Sequence, residues 1–174
     1  MTLFLRGYYS LSLVTTMKTI EKWFYDRLLR IQYDEVIKAV NHWKGSPNQF
    51  KKYHKRIARM PTVDAVTGST IINDWFSHLP MGTILWHATY DINWTYDKDL
   101  WLSTSYDREK ALETKSGGAN PVYLVKIRID SESVSGLPCY TAGCNDDAEV
   151  LLARRLKLTQ LQLDDDSILF FSCV

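Results

Sequence analysis

Apolar residues recur at three- and four-residue spacing along the first third of the chain, at Ile20, Trp23, Phe24, Leu28 and Ile31. After a polar break at Gln32 to Asp34 the pattern resumes at Val36, Val40 and Trp43. Such spacing gathers the apolar side chains on one stripe of a helix, so it predicts a helix pair that Gly45-Ser46-Pro47 stops. Phe50, Tyr53, Ile57 and Met60 mark a third amphipathic helix, ended by Pro61, with Lys51, Lys52, Lys55, Arg56 and Arg59 around its other faces. Ser69 is placed to cap a short fourth helix carrying Ile71, Ile72, Trp75, Phe76 and Leu79, which Pro80 closes.

Beyond Met81-Gly82 the pattern changes. TILWHA, LWL, VYLVKIRI, EVLL, RLKLTQLQL and SILFFSCV are short, rich in β-branched, leucine and aromatic residues, and separated by Gly, Asn, Asp and Pro clusters. Only YDREKALE reads as helix in this part. Helices followed by a run of strands predict an α+β domain with a mostly antiparallel sheet or a pair of packed sheets. No internal repeat or low-complexity segment interrupts it.

A chain of 174 residues with 45% hydrophobic and 24% charged residues is long enough for one well-buried core, so a single domain over 1–174 is expected. The net charge of +1 hides an asymmetry. From Lys18 to Arg59 there are 11 Lys and Arg against 4 Asp and Glu, whereas from Met60 onward there are 9 against 16. A basic helical segment suits an acidic partner or a phosphate backbone, although a solvated helix face explains it as well. The opening MTLFLRGYYSLSLVTTM is broken by Arg6 and lacks a small-residue cleavage site, and no apolar run approaches the roughly 20 residues of a membrane span. A cytoplasmic protein without membrane contact is expected, with Met17 as an alternative start to Met1. Cys139, Cys144 and Cys173 are odd in number and contain no CxxC, so neither a disulfide framework nor a metal site is expected.

The common phosphate-loop, dinucleotide, nucleophile-elbow and zinc motifs are absent. What remains are polar residues at strand edges: His87 within ILWHAT, Ser103-Thr104-Ser105 after LWL, and Asp147 and Glu149 at the start of DAEVLL. Two residues apart on an extended strand, Asp147 and Glu149 would share a face. Each feature has a plain structural reading: exposed acids at a strand entry, a hydrogen-bonded core histidine, a cap for the following helix.

Taken together and in order, LxHxT, Ser-Thr-Ser and carboxylate-x-Glu-V-L-L resemble the mono-ADP-ribosyltransferase superfamily, arginine-serine-glutamate branch. The preceding TGSTIINDWFSHLP also resembles the helix before that branch's first motif. The resemblance covers about residues 67–174 and implies an N-terminal helical part over 17–66 followed by a split, mostly antiparallel β-sandwich forming an NAD-binding catalytic core. Two positions depart from the branch: His87 stands where its first-motif arginine is expected, and Asp147 where the first residue of its Glu/Gln-x-Glu pair is expected.

The resemblance implies NAD as substrate, with Glu149 stabilising the oxocarbenium-like ribose cation and Ser103 positioning Glu149 and lining the nicotinamide pocket. His87 would donate a hydrogen bond to a ribose hydroxyl, Thr104 and Ser105 would hold the strand end, and Asp147 would face the acceptor. Ala88 and Thr89 would border the cofactor, and Tyr106 or Trp86 would stack on nicotinamide. Because histidine lacks the charge and fork that arginine offers a phosphate, Arg108 or a basic residue of the N-terminal helices would supply that anchor. Residues 136–146 stand where the family keeps its target-recognition loop. The implied activity is transfer of ADP-ribose to a side chain of a protein target, arginine favoured, by a phage- or toxin-type effector. Transfer to nucleic acid, an RNA 2'-phosphotransferase-like reaction, and a binding protein that has lost catalysis are the alternatives.

Overall fold

The computed structural model describes residues 19–27, 34–46, 63–115, 122–139, 148–161 and 168–174. Three helical segments come first: α1 over 19–27, α2 (Asp34–Gly45) and α3 (Val63–Asp74). Eight strands follow, β1 (Ser77–His78), β2 (Ile84–Thr89), β3 (Leu102–Ser105), β4 (Tyr123–Ile129), β5 (Ser135–Pro138), β6 (Glu149–Leu152), β7 (Leu158–Gln160) and β8 (Ile168–Cys173). A short helix, α4 (Arg108–Glu113), interrupts them. The expected third helix over residues 50–60 lies outside the described residues.

The strands form one hydrogen-bonded sheet in the order β1-β5-β6-β3-β2-β4-β8-β7, antiparallel except for β4 and β8. Its middle is narrow. β2 and β3 share a single register pair, Trp86 with Ser105, whereas β2 and β4 share six and β3 and β6 share four. The sheet is therefore two four-stranded halves diverging from a seam, the split mostly antiparallel arrangement expected.

Side-chain alternation explains how the halves enclose a core. Leu85, Val125, Ile127, Ile129 and Leu169 of one half meet Leu102, Val150 and Leu152 of the other, with Ile20 and Phe24 of α1 in the same cluster. The opposite face of β3, β5 and β6 packs through Leu137 and Leu151 onto Val36, Val40 and Trp43 of α2 and Ile72 of α3. Ala88 and Leu124 are covered by Ala111 of α4. Trp23 Nε1 donates to the carbonyl of His78 at 2.9 Å, fastening α1 to the sheet edge.

Three expectations change. α3 starts at Val63, not at Ser69, which is buried within it; Ala65 and Ile72 pack inward strongly enough to carry the helix through Thr67-Gly68. The helix ends at Asp74, where Trp75 and Phe76 bond three residues back in tight turns, so Trp75, Phe76 and Leu79 lie beyond it. Strands β1 and β5 carry no strand signature; β5 is SGLP, made a strand by pairing with β6. Gly136 to Pro138, expected within a loop, is thus strand, and Tyr140 to Asp146 lie outside the described residues. Among the described residues no helix is long and apolar enough to cross a membrane.

Gly136 is needed where it stands. A Cβ there would come 3.0 Å from Val150 Cγ1 and 3.1 Å from Leu79 Cδ1, both buried in the core. Gly136→Ala is expected to destabilise the fold by about 1–3 kcal/mol through overpacking, read as a lower urea midpoint with an unchanged m-value.

Candidate active site

On β3 the alternation places Trp101, Ser103 and Ser105 on one face and Leu102 and Thr104 on the other. β6 runs antiparallel with Ser103 opposite Leu151 and Ser105 opposite Glu149, so Ser103 and Glu149 are diagonal neighbours on the α2-covered face. Ser103 Oγ donates to Glu149 Oε1 at 2.6 Å. Lys44 Nζ, from the last turn of α2, donates to Glu149 Oε2. Glu149 is only 9% exposed, so this buried carboxylate is met on both oxygens.

Lys44 is held there by packing behind it. Trp43 sets its ring edge-on to Trp101 at 5.9 Å, and Trp101 Nε1 donates to Asn73 Oδ1 of α3 at 3.3 Å. Val36 and Val40 sit in the same cluster as Leu151, which fixes the rotation of α2 about its axis.

His87 closes the site from across the seam. Its Nδ1 lies 2.8 Å from the carbonyl oxygen of Ser103; a carbonyl only accepts, so Nδ1 carries the proton and donates. Burial pushes the imidazole below the ordinary histidine value, an effect the Ser103 bond opposes and the charge of Lys115 reinforces. At neutral pH the ring is uncharged, with Nε2 an acceptor. The ring also meets Trp94 at 5.3 Å between centroids.

The other hydroxyls bond to backbone. Thr104 Oγ1 donates to the Val150 carbonyl at 2.6 Å, locking β3 to β6, and Ser105 Oγ accepts from the Asp107 amide at 3.0 Å. Asp107 then caps α4 by accepting from the amides of Glu109 and Lys110.

These groups border a cavity of about 300 Å³, with Ser103, Glu149 and Lys44 on one side and Trp86, His87, Ala88 and Lys115 on the other. Thr104 and Ser105 also touch it. Two sequence candidates lie elsewhere: Tyr106 sets its ring against Phe24 of α1 at 5.0 Å, and Thr89 accepts from the Asp91 amide at 3.1 Å. Arg108 pairs with Glu109 and lies 5.9 Å from the Trp86 ring centre. Asp147 lies outside the described residues. Strand alternation begins only at Glu149, the first residue of β6, because Ala148 before it has φ 46°, in the left-handed region.

Sequence reasoning alone misses Lys44 and Lys115. The signal for Lys44 is its place beside Trp43 at the end of an apolar stripe, on the side of α2 that meets the sheet. Among the described residues no three His, Cys, Asp or Glu side chains converge as a metal site would need.

No protein-family model matches the chain, and no curated protein matches its sequence. Its structure is similar to solved ADP-ribosyltransferases. Vis toxin from Vibrio splendidus matches over 94% of this chain and 85% of its own with 16% identity and a TM-score of 0.52. It has also been solved in complex with agmatine, a structure that matches with the same TM-score, 0.52, at 15% identity over 92% of this chain and 85% of that one. An ADP-ribosyltransferase from Clostridium botulinum matches over 90% of this chain and 94% of its own with 14% identity and a TM-score of 0.59. BECa of a C. perfringens binary enterotoxin, solved with NADH, matches over 93% of this chain and 48% of its own with 12% identity and a TM-score of 0.54. The chain has the fold of the ADP-ribosyltransferase toxins.

The lowered pKa of His87 sets a direction for stability. The unfolded chain takes up the proton first, so the stability due to neutral His87 is complete above about pH 6.5 and is lost as the pH falls from there through the folded-state value. The Tm of the wild-type protein should drop more between pH 7.5 and 5.5 than that of His87→Gln. Equal drops would exclude a half-buried imidazole held neutral in the folded protein.

Proposed function

We propose that this protein is a mono-ADP-ribosyltransferase that moves ADP-ribose from NAD to a side chain of a protein target, arginine favoured. The observation that carries the reading is the convergence on Ser103: its hydroxyl orients Glu149, its carbonyl orients His87, and both open on one cavity. Breaking the nicotinamide–ribose bond sends the bonding electron pair out with nicotinamide and leaves an oxocarbenium-like cation. Glu149 stabilises that cation as a fixed carboxylate, and Nε2 of His87 accepts a bond from a ribose hydroxyl. The acceptor nitrogen then bonds the anomeric carbon and loses a proton. Asp147, two positions before Glu149 along the chain, receives that acceptor in this reading. No step calls for a metal.

The similar structures support the reading through their own ligands, NADH in BECa and agmatine, which ends in a guanidinium, in Vis. By the same likeness the protein is a toxin-type effector working in the cytoplasm of a target cell.

A second reading, with a nucleic acid as acceptor, has one observation in its favour. Trp86, which borders the cavity, stands in register with Lys126 and Phe170 across β2, β4 and β8. Arg108 and Lys126 lie about the Trp86 ring, and Lys126 and Arg128 about Phe170. Cations interleaved with aromatic rings are how single-strand surfaces are made.

Both readings are tested by incubating the protein with labelled NAD and a bacterial lysate, with and without nuclease. Protein label that falls about 100-fold or more in Glu149→Ala and about 10-fold in Ser103→Ala is the expected result. Label removed by nuclease selects the nucleic-acid reading. No label together with no NAD binding by calorimetry overturns both and leaves a binding protein on this fold.

A further inference from the structure

Glu149 is held by two donors of different character. Ser103 is neutral and supports an anionic Glu149 without cancelling its charge. Lys44 is a cation in contact with Oε2 and cancels much of it. A carboxylate so neutralised is poorly suited to stabilising a developing cation. His87, meanwhile, is uncharged with Nδ1 committed to a carbonyl, so it offers nothing that pairs with a phosphate. Lys44 borders the same cavity and carries its charge on a flexible four-carbon stem.

From these observations, and resting on the transferase reading above, we infer that Lys44 changes partners when NAD enters. It leaves Glu149 Oε2 for the phosphates of the dinucleotide. The exchange supplies the phosphate contact that His87 cannot make and uncovers the charge of Glu149 at the same moment. Lys44 is then a specificity device: the charge of the carboxylate is left uncompensated only when a substrate bearing phosphate draws the lysine away. Nicotinamide riboside, which has the same scissile bond and no phosphate, leaves Lys44 on Glu149.

The test separates this role from simple neutralisation of a buried acid by removing the acid. In the Glu149→Gln background the Lys44–Glu149 ion pair is gone, so any remaining effect of Lys44 on NAD binding does not come from neutralising Glu149. Calorimetry with NAD and nicotinamide riboside is run on wild type, E149Q, K44Q/E149Q and K44R/E149Q. E149Q is expected to bind NAD at least as tightly as wild type, because the Lys44–Glu149 pair no longer has to break. K44Q/E149Q should bind NAD about 10-fold or more weakly than E149Q, with nicotinamide riboside changed less than about twofold, and K44R/E149Q should stay within about threefold of E149Q for NAD. If K44Q/E149Q does not fold, K44M/E149Q repeats the comparison with the apolar stem kept. Equal NAD affinity in E149Q and the Lys44 double variants, or an equal loss for both probes, overturns the partner exchange while wild-type NAD binding leaves the transferase reading standing. Wild-type protein that binds no NAD overturns both.

Discussion

A carboxylate at the head of a strand whose four residues are all buried has to be met by donors, and most of the site follows from meeting them at Glu149. Ser103 is in reach because β3 and β6 pair in a register that makes the two diagonal neighbours. Lys44 is in reach because the apolar stripe of α2 packs on the same face of the same strands. A one-residue slip of β6 would turn Glu149 into the core between the half-sheets and present Val150 to the cavity. Thr104 opposes such a slip, its hydroxyl holding the Val150 carbonyl from the core side. The polar site and the apolar core therefore enforce one register.

The seam supplies the second constraint. A sheet paired along its full length would leave no opening between β2 and β3, whereas one register pair lets the halves diverge and leaves a cavity at the mouth. The halves stay together because the core between them draws on both, and because the His87 bond to Ser103 crosses the gap that backbone pairing leaves open. That bond requires a neutral ring with Nδ1 protonated, so the same contact that ties the halves fixes which nitrogen faces the cavity.

Much of this is legible in the sequence. The strands from β2 onward, β5 apart, carry β-branched, leucine or aromatic residues, and seven of the residues around the cavity, Trp86, His87, Ala88, Ser103, Thr104, Ser105 and Glu149, are candidates from the motifs they sit in. The failures have physical causes. β1 and β5 are strands only through their partners, so nothing local announces them. α3 begins six residues early because buried Ala65 and Ile72 outweigh a Gly that breaks helices in isolation. Tyr106 reads as an aromatic beside the cofactor, but α1 brings Phe24 to it, a tertiary contact that spacing does not encode. Lys44 is hidden among the eleven basic residues between Lys18 and Arg59, since only the packing of α2 decides which of them meets the sheet.

The histidine on β2 and the lysine from α2 belong to one arrangement. An arginine at position 87, half-buried as this histidine is, would need a counter-charge, and among the described residues that line the cavity Glu149 is the carboxylate. A neutral imidazole removes that demand and bonds a carbonyl instead, leaving Glu149 to a cation carried on a separate element. Positive charge meets Glu149 from the end of a helix, on a flexible stem, and not from the strand that carries His87. The cavity has a positive group at its border while the residue wedged at the seam stays uncharged. That division lets the seam be both the joint that holds the half-sheets together and the wall of the site they form.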